Sequence, residues 1–351
     1  MTLFLRVGQM IRPLFATLIL FALAGCIFGD DTPDVLRFSG ETMGTTYNVT
    51  VVDPPEGLDE AAVQEAITAT LEGVNSSMSN WDPQSEVSRF NSSAALEPVP
   101  MSEPFATVMA LSNDIHDASG ARFDVTLAPL IELWGFGTRT PEDAVPPPGD
   151  INAALDLVGQ RDVLRMEGDA LVKTAEGVSV NLSAIAKGYG VDAVAQTLSD
   201  AGVSRYLVEI GGDLVTRGLN AEDEPWAIGI ERPDVAGRVV ELIVPVSGYG
   251  LASSGDYRNY FEADGQRYSH ILDPTTGRPV THSTASVTVL AENATLADGW
   301  ATALLVAGAE VGLPLAEAEG LAVLFINRED GAFVTSASRA FSELIGDTTS
   351  D

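Results

Sequence analysis

The segment Asn181-Leu-Ser-Ala-Ile-Ala-Lys-Gly-Tyr-Gly-Val-Asp-Ala193 decides between two folds. Its second half, Gly188 to Ala193, matches the loose G-x-G-x-x-A fingerprint of a dinucleotide-binding turn, with Glu209 about 20 residues downstream. In such a unit the glycines form the tight turn directly after the first strand. Here Ser183 to Lys187 lies between the strand expected over 178–182 and the glycines, so both glycines fall inside the helix expected over 183–201. Small residues inside a helix serve close packing. The segment therefore predicts a strand end, a turn and a helix start, with Ser183 as N-cap. First-turn amides and Lys187 one turn later would make an anion site, the other reading being a capped helix with a solvated lysine.

The surrounding patterns predict a strand over 45–52, a helix over 58–78, a second over 104–118 and a third over 128–134. A surface loop is expected over 140–149. Short strands follow over 163–167, 206–210, 226–231, 239–246 and 285–290, with a helix over 294–307. Strands mostly neighbour strands and helices come in blocks, which predicts an α+β fold rather than an alternating sheet. No internal repeat is evident.

Three further stretches carry chemistry. Tyr268-Ser-His-Ile-Leu-Asp-Pro-Thr-Thr-Gly-Arg-Pro-Val280 holds His270, one of three histidines, beside an Asp-Pro turn closed by Gly277. Pro presets one angle and Gly tolerates positive φ, so His270 would sit on a rigid edge; an incidental histidine beside a turn is the plainer reading. Asp298-Gly-Trp-Ala-Thr302 presents a carboxylate and a hydroxyl on one helix face. With a backbone carbonyl they would suit Mg²⁺, a hard cation that takes oxygen ligands. Arg258 could bind phosphate or pair with a carboxylate, and Trp81 could stack on an aromatic ligand ring.

Arg6 and Arg12 precede an apolar run over 14–24, too short to span a membrane. Leu23-Ala-Gly-Cys26 then resembles the lipobox of bacterial lipoproteins, and Cys26 is the sole cysteine. The expected layout is a leader over 1–25, a lipidated tether over 26–35, one domain over 36–346 and a frayed tail over 347–351. Such a protein faces the periplasm or the extracytoplasmic side from the cell membrane or the outer membrane. The formal net charge of −31 repels nucleic acid. Lys173 and Lys187 are the only lysines.

Several blocks occur together in one order: Thr42-Met-Gly-Thr-Thr-Tyr47, Met78-Ser-Asn-Trp-Asp-Pro-Gln-Ser-Glu-Val-Ser-Arg-Phe-Asn91, Phe123-Asp124 and Leu133-Trp-Gly-Phe-Gly137. The opening segment, Val208-Glu-Ile-Gly-Gly-Asp213, Ser254-Gly-Asp-Tyr-Arg-Asn259, Ser269-His-Ile-Leu-Asp-Pro274 and Ala297-Asp298 follow. In this order they resemble the ApbE family, the FAD:protein FMN transferases. The resemblance implies a T-fold-related α+β architecture with FAD bound in a cleft between two interlocked parts. It implies an enzyme that uses Mg²⁺ and FAD, places FMN on a threonine or serine hydroxyl of a target protein and releases AMP. The resemblance also implies that the targets are FMN-accepting subunits of membrane redox complexes of the sodium-pumping quinone reductase or Rnf type; the chain carries no Ser/Thr-Gly-Ala-Thr/Ser acceptor motif, so the acceptor would be another protein. Hydrolysis of FAD to FMN and AMP, or flavin binding without catalysis, are the alternatives.

By the same resemblance the metal would sit on Asp298, Thr302 and the Ala184 carbonyl. FAD would contact Met43, Trp81, Phe123, Asp124, Asn181, Lys187, His270 and Ile271, and Arg258 joins that set on its own chemistry as a phosphate-binding candidate. His270 would take the acceptor's proton, because imidazole titrates near neutrality. Trp81 stands where Tyr is common, Asn181 where Asp is frequent, and Ala301 where some members add a carboxylate.

An acid-rich, lysine-poor surface suits high salt, which screens self-repulsion. The melting temperature of the purified protein should therefore rise as molar salt is added. A melting temperature that falls with salt contradicts this reading.

Overall fold

The computed structural model describes residues 32–137, 145–234, 237 and 239–346. The leader, Cys26, most of the tether and the C-terminal tail lie outside them. Eight strands make the main sheet: β1 (Val35–Thr42), β2 (Thr45–Val52), β3 (Tyr206–Ile210), β4 (Asp213–Arg217), β5 (Gly250–Gly255), β6 (Thr284–Ala291), β7 (Ala322–Glu329) and β8 (Ala332–Ala337). They lie side by side in chain order, each antiparallel to its neighbours. Strand alternation sends Tyr47, Val49 and Val51 to one face, where they meet helices α1 (Glu60–Met78) and α3 (Ala186–Asp200). Helix α2 (Glu103–Ala118) and helix α4 (Ala294–Glu319) complete that layer. Leu214, Leu290 and Leu324 point the other way, against the hairpin of Trp226–Glu231 with Val240–Val246 and the C-terminal helix Arg339–Ile345.

The sheet divides into two like halves, each a hairpin, helical segment and hairpin. One is β1–β2, then α1 to α3, then β3–β4; the other is β5–β6, α4 and β7–β8. The sequence showed no such repetition, because burial pattern rather than residue identity carries it. The described residues from Pro33 onward form one compact unit.

The first hairpin turns tightly. Thr42 pairs with Thr45, so Met43 and Gly44 form a two-residue turn with φ of 50° and 72°. Positive φ at both positions matches the twist of the strands, and Met43 tolerates it at some cost.

The glycines that suggested a dinucleotide turn have packing roles. A Cβ on Gly188 would stand 2.3 Å from the Ala294 carbonyl oxygen, and one on Gly190 would stand 2.7 Å from Met43 Cε. They let α3 lie against the start of α4 and against the β1–β2 turn. The two helices also cap each other. Asp192 of α3 accepts the Ala294 and Thr295 amides at 2.9 and 2.8 Å, and Asp298 of α4 accepts the Gly188 amide at 3.0 Å. Each carboxylate satisfies amides that a helix start leaves unpaired.

The structure corrects several sequence expectations. Residues 178–182 are not a strand. Asn91 holds Val180 by both its amide (2.7 Å) and its carbonyl (2.9 Å), and Asn80 bonds the Val180 carbonyl and the Leu182 amide. Side-chain amides stand where a neighbouring strand would be. Ser183 is not the N-cap either, for the helix begins at Ala186 and the Ser183 hydroxyl donates to Asn181 Oδ1 at 2.6 Å. Val163 ends a short helix, Gln160–Val163, and Val35 of the expected tether is already in β1. Of the loop expected over 140–149, residues up to 144 lie outside the described ones, while Pro148 opens a helix, Pro148–Leu155. The expected end at 307 coincides with a break at Gly308 (φ 69°, ψ 163°), after which a second helical stretch runs to Glu319. Helix α4 is apolar enough to cross a membrane by composition, but it is broken there and packs on β5 and β6.

Gly188→Ala should destabilise the protein by about 2–3 kcal/mol, since the neighbour it meets is backbone and cannot rotate away. Gly73→Ala, on the exposed side of α1 with open space around it, should be neutral or stabilise by up to about 1 kcal/mol. Thermal melts of the two variants check the pair. Equal effects would remove the packing role of Gly188.

Candidate active site

A cavity of about 1210 Å³ opens where the two halves of the sheet meet. Its walls come from the β1–β2 turn, the chain after α1, the start of α3, β5 and the side of α4 that carries Asp298 and Thr302. All twelve residues expected at the site line it: Met43, Trp81, Phe123, Asp124, Asn181, Ala184, Lys187, Arg258, His270, Ile271, Asp298 and Thr302. The volume exceeds the ~300–1,000 Å³ of pockets that hold drug-sized ligands and suits a dinucleotide.

The charged centre lies at the start of α3. Gly188, in the first turn of α3, has no acceptor within the helix and gives its amide to Asp298 Oδ2. Ala184 precedes the helix, so its carbonyl accepts no amide of α3, and the residue lines the cavity. Thr302 sits one turn along α4 from Asp298, with its Oγ1 3.1 Å from Ser254 Oγ. Lys187 makes an ion pair with Asp213, which is 1% exposed. The expected anion site at this helix start is thus filled by protein carboxylates.

Asp298 is a second buried carboxylate near this one ammonium. Burial, then the charge of Asp298, pushes Asp213 up to about 7. Asp298 is raised mainly by burial, partly offset by Lys187 and the Gly188 amide. Burial works against the Lys187 cation, but Asp213 and Asp298 outweigh it and hold lysine above its ordinary range. Lys187 is therefore held as the cation, while burial holds both carboxylates back from ionising.

His270 holds the opposite wall. Its Nδ1 lies 3.0 Å from the Asn259 carbonyl, and its backbone amide donates to the same oxygen at 3.1 Å. A carbonyl can only accept, so Nδ1 carries the proton and Nε2 keeps its lone pair. Burial lowers its pKa below 6.5, against a smaller upward pull from Asn259. The ring meets Phe136 edge-on at 6.3 Å, the end of an aromatic run through Phe261, Tyr268 and Trp134.

The other expected residues differ in what they offer. Trp81 is 73% exposed, an indole face held at the rim. Phe123 is 1% exposed and belongs to the core behind the cavity. Both carboxylate oxygens of Asp124 are engaged, Oδ1 by Thr126 and Oδ2 by the Gln160 amide at 3.0 Å. Asn181 accepts from Ser183 through Oδ1. Arg258 pairs with Glu231 and lies over the Tyr257 ring at 5.5 Å.

Sequence reasoning named no role for Asp213, Asn80, Asn91 or Phe136. Each lies inside a quoted block, so the signal was there, but only the fold shows Asp213 turned onto Lys187 and the asparagines onto 178–182. Asn91→Ala would leave the amide and carbonyl of Val180 without that partner. It should cost about 2–3 kcal/mol in a denaturant melt. A loss below about 0.5 kcal/mol, the range of ordinary surface changes, would remove the clamp.

The ApbE family profile matches residues 43–325. The FAD:protein FMN transferase of Vibrio cholerae is 43% identical over 326 residues, covering 93% of this chain and 96% of that protein. The one of Haemophilus influenzae is 40% identical over 344 residues, covering 96% and 98%. The solved structure of the flavin transferase ApbE from Vibrio cholerae superimposes with a TM-score of 0.83 at 42% identity, covering 89% of this chain and 99% of that one. The apo flavinyl transferase ApbE of Pseudomonas stutzeri gives 0.82 at 42% identity, covering 90% and 98%. With fold, block order and near full-length identity in agreement, this chain belongs to the ApbE family.

Proposed function

We propose that this protein transfers the FMN moiety of FAD to a threonine or serine hydroxyl of another protein and releases AMP. The observation that carries the reading is the pairing of two features across one dinucleotide-sized cavity. On one wall are Asp298, Thr302 and the Ala184 carbonyl; on the other is the Nε2 lone pair of His270.

The donor set fits a hard cation. Among the described residues no group of three His, Cys, Asp or Glu could hold a metal, which argues against a softer transition-metal site. One carboxylate, one hydroxyl and one carbonyl match Mg²⁺, which keeps waters and substrate phosphate in its shell. Asp298, Thr302 and Ala184 would hold it, and when bound it supplies charge neutralisation at the FAD pyrophosphate.

The remaining work falls to the chain's own groups. Trp81 offers an exposed face for the isoalloxazine ring, and Lys187, held charged by Asp213, adds a fixed positive charge beside the phosphates. The acceptor oxygen bonds to the FMN phosphorus as the bond from that phosphorus to the AMP oxygen breaks. His270 Nε2 takes the acceptor's proton, and AMP leaves with the electron pair of the broken bond. Asn259 and Phe136 keep the imidazole in the tautomer and position this requires.

The acceptors we infer are FMN-bearing subunits of membrane redox complexes of the sodium-pumping quinone reductase or Rnf type. The leader and Cys26 support a lipid-anchored enzyme on the periplasmic or extracytoplasmic side. Cys26→Ser should release it from the membrane fraction.

The protein from Pro33 onward is incubated with FAD and Mg²⁺, with and without a protein carrying a Ser-Gly-Ala-Thr segment. AMP should form in step with an FMN mass on the acceptor. AMP and free FMN without acceptor would instead make the protein an FAD pyrophosphatase, and bound FAD with neither product a flavin-binding protein. Asp298→Asn should slow transfer by about 10²–10³-fold, the usual loss on removing one charge-stabilising group.

His270 also predicts a pH dependence. A base must be neutral, and burial lowers this imidazole below 6.5, so kcat/KM should hold down to that pH and fall below it. Since folding lowers the value, the stability His270 contributes is complete above 6.5 and is lost as pH falls toward the folded value. His270→Gln should cost about 10²–10⁴-fold in rate and abolish that acid limb. An unchanged limb in the variant would assign it to another group.

A further inference from the structure

The Lys187 side chain could pair with either of two carboxylates, and the structure shows which it takes. The peptide N–H next to it, that of Gly188, bonds Asp298 Oδ2 at 3.0 Å, so the backbone alone brings Lys187 within one residue of Asp298. The ammonium nevertheless makes its ion pair with Asp213. Asp213 is the first residue of β4, directly after Gly211 and Gly212, both of positive φ, and is 1% exposed. It is anchored, whereas lysine is a point charge on a flexible four-carbon stem that goes to the nearest available anion.

What depends on this choice is Asp298. Beside Thr302 and the Ala184 carbonyl it is the one carboxylate of the cation set, and position 301, one residue before Thr302, is a fully buried alanine. An ammonium resting on Asp298 would neutralise the only charge that set has. We propose that Asp213 is a positioning residue that holds the Lys187 ammonium off Asp298 and so leaves the Asp298 carboxylate open to a divalent cation. This rests on the proposed cation site, and adds that the site needs a decoy carboxylate which touches no metal.

Mn²⁺, observed by its electron paramagnetic resonance, serves as a spectroscopic probe of that site, titrated into the protein from Pro33 onward without FAD. Asp213→Asn should weaken Mn²⁺ binding by about tenfold or more, because its lysine is free to take Asp298. Asp213→Glu should recover binding to within about threefold of the parent protein. The double variant Lys187→Met with Asp213→Asn should recover it as well, since no ammonium is left to compete. A crystal structure of Asp213→Asn should show Lys187 Nζ within hydrogen-bond distance of Asp298. Unchanged Mn²⁺ binding in Asp213→Asn overturns the inference, as does a crystal structure with Lys187 Nζ still at position 213. A double variant as weak as the single one overturns it too, by making Asp213 itself a ligand. Absence of Mn²⁺ binding in the parent protein, or binding unaltered by Asp298→Asn, overturns the cation site and this inference with it.

Discussion

The reciprocal capping of α3 and α4 is the contact on which the rest of the structure depends. Asp192 of the first helix closes the amides at the start of the second, and Asp298 of the second takes an amide at the start of the first. The two helices belong to different halves of the sheet, so this exchange fastens the halves together. It is possible only because position 188 has no side chain to meet the Ala294 backbone. One consequence is chemical. The exchange holds the Asp298 carboxylate at the start of α3, beside Ala184, which precedes the helix and whose carbonyl accepts no amide from it. Stability and site thus rest on the same few atoms.

The charge of the site is a consequence of its burial. Asp213 and Asp298 are almost wholly removed from water, and one lysine lies between them. A buried charge is costly unless it is paired, so two carboxylates beside one ammonium ionise together only when another cation arrives. The same arrangement makes Lys187 a fixed charge rather than a mobile one. In a chain with a formal net charge of −31, a pocket for an anionic dinucleotide has to be built this way, from a few held cations rather than from a basic surface.

Much of this was legible in the sequence. The position of Gly188 and Gly190 inside a helix excluded a dinucleotide turn, and the structure gives each a packing partner. Strands over 206–210 and 226–231 matched to the residue, because period-two alternation is a local property. The residues named for the site all line one cavity. What could not be read were features made by side chains from distant segments. An extended run at 178–182 looks like a strand whether a strand or Asn80 and Asn91 hold it. A serine before a helix looks like its cap, although Asp298 from more than a hundred residues away takes the amide instead. The division of the sheet into two like halves was invisible for the same reason.

The central claim is that the FAD pyrophosphate lies between the Asp298–Thr302–Ala184 set and Lys187, with the flavin at Trp81 and His270 facing the phosphorus. A crystal structure of the His270→Gln protein with FAD and Mg²⁺ tests this directly. The account predicts Mg²⁺ bound by the Asp298 carboxylate, the Thr302 hydroxyl and the Ala184 carbonyl, with a pyrophosphate oxygen completing the shell and the isoalloxazine ring on Trp81. FAD lodged away from Asp298, or Mg²⁺ held without the Ala184 carbonyl, would contradict it.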